Sequence, residues 1–90
     1  MQSQTIILNR YDGGTPPAFS GYWMDIPLSV KLDMSAVLKL AGHVDANQRH
    51  AVLAAKGETI IAALRRLAEM GQIETASGRA ETMVSALDLD

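Results

Sequence analysis

The stretch from Glu58 to Gly71 constrains this chain more than any other. Ile60, Ala63, Leu64 and Leu67 recur at i, i+3, i+4 and i+7, so a helix over 58–70 gathers them into one apolar stripe. Gly71 stands where helices take a left-handed C′ residue, and it ends the element. Such a stripe must be covered, and 90 residues offer little cover. A domain of this size buries only about 60–65% of the surface its unfolded chain exposes. The chain has no cysteine, which removes disulfide staples, thiolate metal sites and cysteine nucleophiles. Stability has to come from packing the 48% of residues that are hydrophobic.

Upstream, Gln4 to Tyr11 is short and rich in β-branched and aromatic residues, the composition of a strand. Asp12 to Gly21 holds three Gly and two Pro, which marks a loop. From Tyr22 to Leu28, Tyr22, Met24, Ile26 and Leu28 alternate with Trp23, Asp25 and Pro27, predicting a second strand that Pro27 confines to an edge or an end. A β-hairpin over residues 4–28 follows, and two strands alone are marginal in water. It must lie on helices. Ala36, Val37, Leu40, Ala41 and Val44 share one face of a helix over Asp33–Val44, with Asp33 or Ser35 as N-cap. Asp45 stands three residues before Gln48, a capping-box spacing that opens the next helix. Gly57 either ends that helix or sits inside a longer one, because Leu53 lies one heptad before Ile60; residues 46–70 form one helix or two. The last segment is also two-valued. Ala80, Met83, Val84 and Leu87 have helical spacing, whereas Met83, Ser85, Leu87 and Leu89 alternate as a strand would after a Ser77-Gly78 turn. The expected architecture is one α+β domain over 1–90. It has an N-terminal β-hairpin (1–28), two or three packed α-helices (29–71), and a C-terminal strand forming a wing, or a short helix (72–90).

The net charge of −2 gives no global attraction to nucleic acid. Locally, Asn47–Leu67 carries +3 through Arg49, Lys56, Arg65 and Arg66 against Glu58, and Glu69–Asp90 carries −4. No apolar run approaches the roughly 20 residues of a membrane span, and the beginning MQSQTIILNRY lacks the basic and apolar regions of a signal peptide. A cytoplasmic location with no membrane partner is the expectation. His43, Asp45 and His50 are the only grouping with metal-ligand chemistry, and the N-cap role explains Asp45 better, so no metal and no cofactor are expected. Ser29, Ser35 and Thr59 have no base at a recognisable spacing, and Gly13-Gly14 precedes Thr15-Pro16 rather than a helix. Enzyme activity is not expected.

Leu64, Leu67, Gly71 and Ile73, followed by Glu74–Ser77, Gly78-Arg79 and Ala80–Leu87, resemble the second half of a winged helix: a recognition helix, a turn and a returning wing. The resemblance implies DNA binding through Lys56, Arg65, Arg66 and the wing residue Arg79. In size and acidic character the chain is also similar to small inhibitors of phages and mobile elements, those of the anti-CRISPR type.

Weighing these, the leading expectation is a non-enzymatic regulatory or inhibitory protein that binds a protein partner stoichiometrically, as a homodimer. Phe19 and Tyr22 at the end of the Gly/Pro loop are its contact candidates, Trp23 being assigned to the core. Ile61 and Ala62, on the face of the helix opposite its Ile60/Leu64/Leu67 stripe, and Arg65 are the others. The alternative is a winged-helix DNA-binding regulator, ranked second because Glu58, Thr59, Ile61 and Ala62 stand where such a helix meets phosphates and base edges.

Overall fold

A computed structural model describes residues 5–14 and 16–89; Gln4, Thr15 and Asp90 of the segments discussed above lie outside the described residues. The architecture is α+β, with three strands before the helices and two after them. Strand β1 (Ile6–Asp12) pairs antiparallel with β2 (Ala18–Trp23), and β2 with β3 (Ile26–Leu32). The stretch Tyr22–Leu28, expected to run as one strand, therefore breaks at Met24-Asp25. These residues have φ of 52° and 70° and join Trp23 to its partner Ile26, as a two-residue type I′ turn requires. The Gly/Pro loop is correspondingly shorter than expected, and Ala18 to Gly21 belong to β2.

Three helices follow: α1 (Met34–Ala41), α2 (Ala46–Ala54) and α3 (Gly57–Glu69). Asp33 caps α1, its carboxylate accepting the Ala36 N–H at 2.9 Å and the Ser35 hydroxyl at 2.6 Å. Asp45 caps α2 by accepting from Gln48 N–H at 2.9 Å. The question of one helix or two over 46–70 resolves as two, and Gly57 opens α3 rather than ending α2. Helix α3 stops at Gly71 (φ 71°) in a Schellman arrangement. Gln72 N–H donates to the Leu67 carbonyl at 2.8 Å and Gly71 N–H to Ala68 at 3.1 Å.

The chain then forms a second hairpin, β4 (Glu74–Ala76) and β5 (Arg79–Val84), around Ser77-Gly78. The C-terminal alternative thus resolves as a strand, with a 3-10 turn at Ala86–Asp88 behind it. Strand β5 slots in beside β3 in parallel register, Leu28 to Ala80 through Leu32 to Val84. The sheet order is β1-β2-β3-β5-β4.

All three helices sit in the crossover between β3 and β5. The buried core joins Leu28, Val30 and Leu32 of β3, Ala80 and Val84 of β5, and Ile6 and Phe19 to Val37, Leu53, Ile60, Ala63, Leu64 and Leu67 of the helices. Each large aliphatic side chain here contributes about 1.5–3 kcal/mol by leaving water. The predicted stripe of α3 is the centre of this core. Among the described residues of α2, Leu53 alone is fully buried. The far end is stitched by polar contacts: Ala86 N–H donates to Ser35 Oγ at 3.0 Å, and Lys39 Nζ to the Leu89 carbonyl at 2.6 Å.

Candidate functional site

Since the helices cover one face of the sheet, the other face is left open, and the strand registers dictate what it displays. A bulge after Leu8 leaves Asn9 without a register partner, so Ile7 lies opposite Tyr22 and Arg10 opposite Ser20. Gly21 sits beneath this bulge: a Cβ there would run into the Ile7 carbonyl, so only glycine lets the two strands approach. Three rows then cross the open face. The first is Ile7, Tyr22 and Pro27, with Arg79 beside Pro27, one residue before the Leu28–Ala80 pair. The second is Arg10, Ser20, Ser29, Glu81 and Glu74, which spans all five strands. Asp12, Ala18, Lys31 and Met83 make the third.

The first row makes an apolar corner. Ile7 is 50% exposed, Tyr22 46%, and Met24 in the adjoining turn 45%. Clustered aromatic and aliphatic side chains in water, with an arginine beside them, are the usual anchors of protein contacts. Around this corner charges of both signs balance: Arg10, Lys31 and Arg79 against Asp12, Glu74 and Glu81. Among the described residues Arg10 pairs with Asp12 at 2.8 Å, and Ser20 Oγ also donates to Asp12 at 3.1 Å. Glu74 and Glu81 face each other directly across β4 and β5, an arrangement that is unfavourable on one face of a sheet. No cation among the described residues reaches either one within ion-pair distance. A shallow trough of about 510 Å³ follows the open face between these groups.

A second concavity, about 470 Å³, lies between Gly13-Gly14, Pro16-Pro17 and the helices, with Tyr11, Leu32, Val37 and His50 also in its walls. The Tyr11 ring meets Phe19 at 4.9 Å and the edge of His50 at 4.8 Å between centroids. Gly13 lies so close to His50 that a Cβ would stand 2.6 Å from Nδ1. Burial raises the Tyr11 pKa above its ordinary value of 10.0, opposed by the Arg49 charge. The Arg49 Nε is buried with no hydrogen-bond partner among the described residues. Among the described residues this crevice offers apolar walls and one cation, Arg49.

No protein-family model, curated protein or solved structure matches this chain.

The residues singled out from the sequence are therefore placed by geometry alone. Tyr22 stands on the open sheet face. Phe19, expected on the contact surface, is only 3% exposed and belongs to the core. The reason is register: Phe19 lies opposite Tyr11 and Val30 on the helix side of the sheet. Trp23, assigned to the core, packs against it half-buried, its Nε1 without a partner among the described residues. Ile61 is half-buried against the core, whereas Ala62 and Arg65 are exposed on the outer flank of α3. The structure does not bring Tyr22 together with Ile61, Ala62 and Arg65, since they occupy opposite layers.

Lys56 is half-buried at the α2–α3 junction. Arg66 is engaged by the Asp88 carbonyl, and Arg79 is exposed on the second hairpin. His43, Asp45 and His50 do not converge; among the described residues no group of three metal-ligating side chains does. No helix among the described residues is long and apolar enough to cross a membrane. Sequence reasoning missed Ile7, Arg10, Lys31, Glu74 and Glu81. Their outward alternation was readable, but not which face the helices would take.

Proposed function

We propose that this is a non-enzymatic regulatory or inhibitory protein of the cytoplasm that acts by stoichiometric binding to a protein through its uncovered sheet face. One observation carries the reading: Ile7, Tyr22, Met24 and Pro27 form an exposed apolar corner beside Arg79, on a face its own helices do not reach. A tyrosine, with an arginine two strands along the same row, supplies contact area and directed hydrogen bonds at small entropic cost, which is why such residues dominate binding energies. Balanced charge on this face favours a protein over a phosphate backbone, which rewards net positive charge. The likeness to small anti-CRISPR-type inhibitors agrees with this reading in size and character.

A photo-crosslinking residue at position 22 and one at position 58 separate the sheet face from the helical layer. Crosslinking of a protein from position 22 and not from position 58 is the expected result. Capture from position 58 alone, with position 22 silent, refutes the reading.

The second reading, a winged-helix DNA-binding regulator using Lys56, Arg65, Arg66 and Arg79, draws support from the hairpin that follows α3 directly and carries Arg79. It predicts salt-sensitive binding to duplex DNA that Arg65→Glu with Arg66→Glu abolishes. No mobility shift at low salt refutes it.

A further inference from the structure

We infer that the protein seated on the open sheet face is a second copy of this chain, stacked sheet on sheet about a two-fold axis that runs along the strands. The inference rests on the sheet-face reading and names its partner.

The argument comes from the order of charges in the row that crosses all five strands. It begins with Arg10 on β1, passes through Ser20 and Ser29, and ends with Glu81 and Glu74. A two-fold axis along the strands reverses the strand order of the facing copy while keeping each row over itself. The basic end of one copy then lies over the acidic end of the other, twice in each pair. Placed between β2 and β3, the axis sets Arg10 over the partner's Glu81, Ser20 over Ser29, and the Tyr22 ring over Pro27. An axis directly above β3 would instead set Lys31 against its own copy, so the first placement is the one the charges select.

Two further observations point the same way. Glu81 and Glu74 face each other in one copy, and although Lys31 and Arg79 lie nearby, no described cation forms an ion pair with either; a facing Arg10 supplies one. Arg10 spends Nε on Asp12, which leaves its terminal nitrogens to form charge-assisted bonds with a facing carboxylate. Facing sheets pack about 10 Å apart, a gap these long side chains span. The face measures roughly 20 Å by 20 Å from strand spacing and rise, about 800 Å² counted over both copies, below the about 1,200–2,000 Å² total of stable complexes. The pair therefore dissociates on dilution. Stacking the sheets leaves Ala62 and Arg65 of α3 displayed on both outer surfaces.

Sedimentation over a wide concentration range tests this with the full chain. Wild type shifts from monomer to dimer mass as concentration rises, and added salt pushes it back. Arg10→Glu sets two acids face to face and Glu81→Arg sets two bases; each variant alone associates at least about tenfold more weakly. Mixed in equal amounts, the two variants dimerise, because each mismatch meets its complement. Circular dichroism confirms that both stay folded, as expected for exposed positions. A wild type that stays monomeric throughout overturns the proposal, as does a mixture no more associated than its components. If the monomeric protein still crosslinks a different protein from position 22, self-association falls while the sheet-face reading stands.

Discussion

Met24 is the residue whose replacement tests the β2–β3 turn most directly. Its φ of 52° places a long side chain in the left-handed region, which costs an ordinary L-residue about 1–2 kcal/mol and which asparagine tolerates. Met24→Asn and Met24→Ala both remove the half-exposed thioether, so packing lost from the corner cancels between them. Alanine keeps the backbone penalty and asparagine relieves it. The difference is about 1 kcal/mol, and in a domain of this size each kcal/mol moves Tm by about 4–8 °C. Thermal unfolding followed by circular dichroism therefore finds the asparagine variant melting several degrees above the alanine variant. Equal melting temperatures, or alanine the higher, refute the assignment of a left-handed pair at Met24-Asp25. Strain kept at the edge of an exposed apolar corner is also what a contact surface selected for binding tends to carry.

Other consequences follow from the same packing. Gly21→Ala drives a methyl group into the Ile7 carbonyl and destabilises by about 3 kcal/mol or more, measured by urea titration. Leu64→Ala empties a fully buried site at the centre of the core and costs about 2–5 kcal/mol in the same assay. The Ser35 hydroxyl, and then the Ala36 N–H, hold the Asp33 carboxyl below its ordinary 3.8. Its stabilising effect is complete above 3.8 and is lost as pH falls through the lower folded value. Asp33→Asn keeps the cap but flattens stability in that acid window, whereas Asp33→Ala loses about 1 kcal/mol at neutral pH. Lys39→Met frees the carbonyls of Ala86 and Leu89, and amide exchange of the 3-10 turn quickens while that of α3 does not.

Local chemistry made the helical layer readable. Asp33 and Asp45 cap the helices at the spacings that the Ala36 and Gln48 N–H donors demand, Gly71 closes α3, and the stripe of α3 is the stripe that the core buries. What escaped was tertiary. Met24-Asp25 carries none of the glycine or asparagine that announces a type I′ turn, so an unbroken alternation ran through it. Phe19 follows two prolines and two glycines, which disguised the first residues of β2 as loop. The break at Ala55-Lys56 falls just before Gly57, a residue whose spacing alone fitted a helix end or a helix interior. The row from Arg10 to Glu74 exists only because a bulge at Asn9 shifts the phase of β1 and because β5 enters beside β3 in parallel. The bulge leaves a single trace in the residues, the glycine at position 21, and the entry of β5 leaves none.

The parallel pairing of β3 with β5 has a consequence for biogenesis. Leu28 and Ala80 must meet across the three helices, a long loop to close and a slow contact to form. While the ribosome is still adding the second hairpin, β3 is an unprotected margin bearing Leu28, Val30 and Leu32, the kind of edge that recruits other strands. Maturation waits on the six-residue strand Arg79–Val84, and variants that weaken that latch will burden chaperones and proteases before they alter anything a binding assay detects.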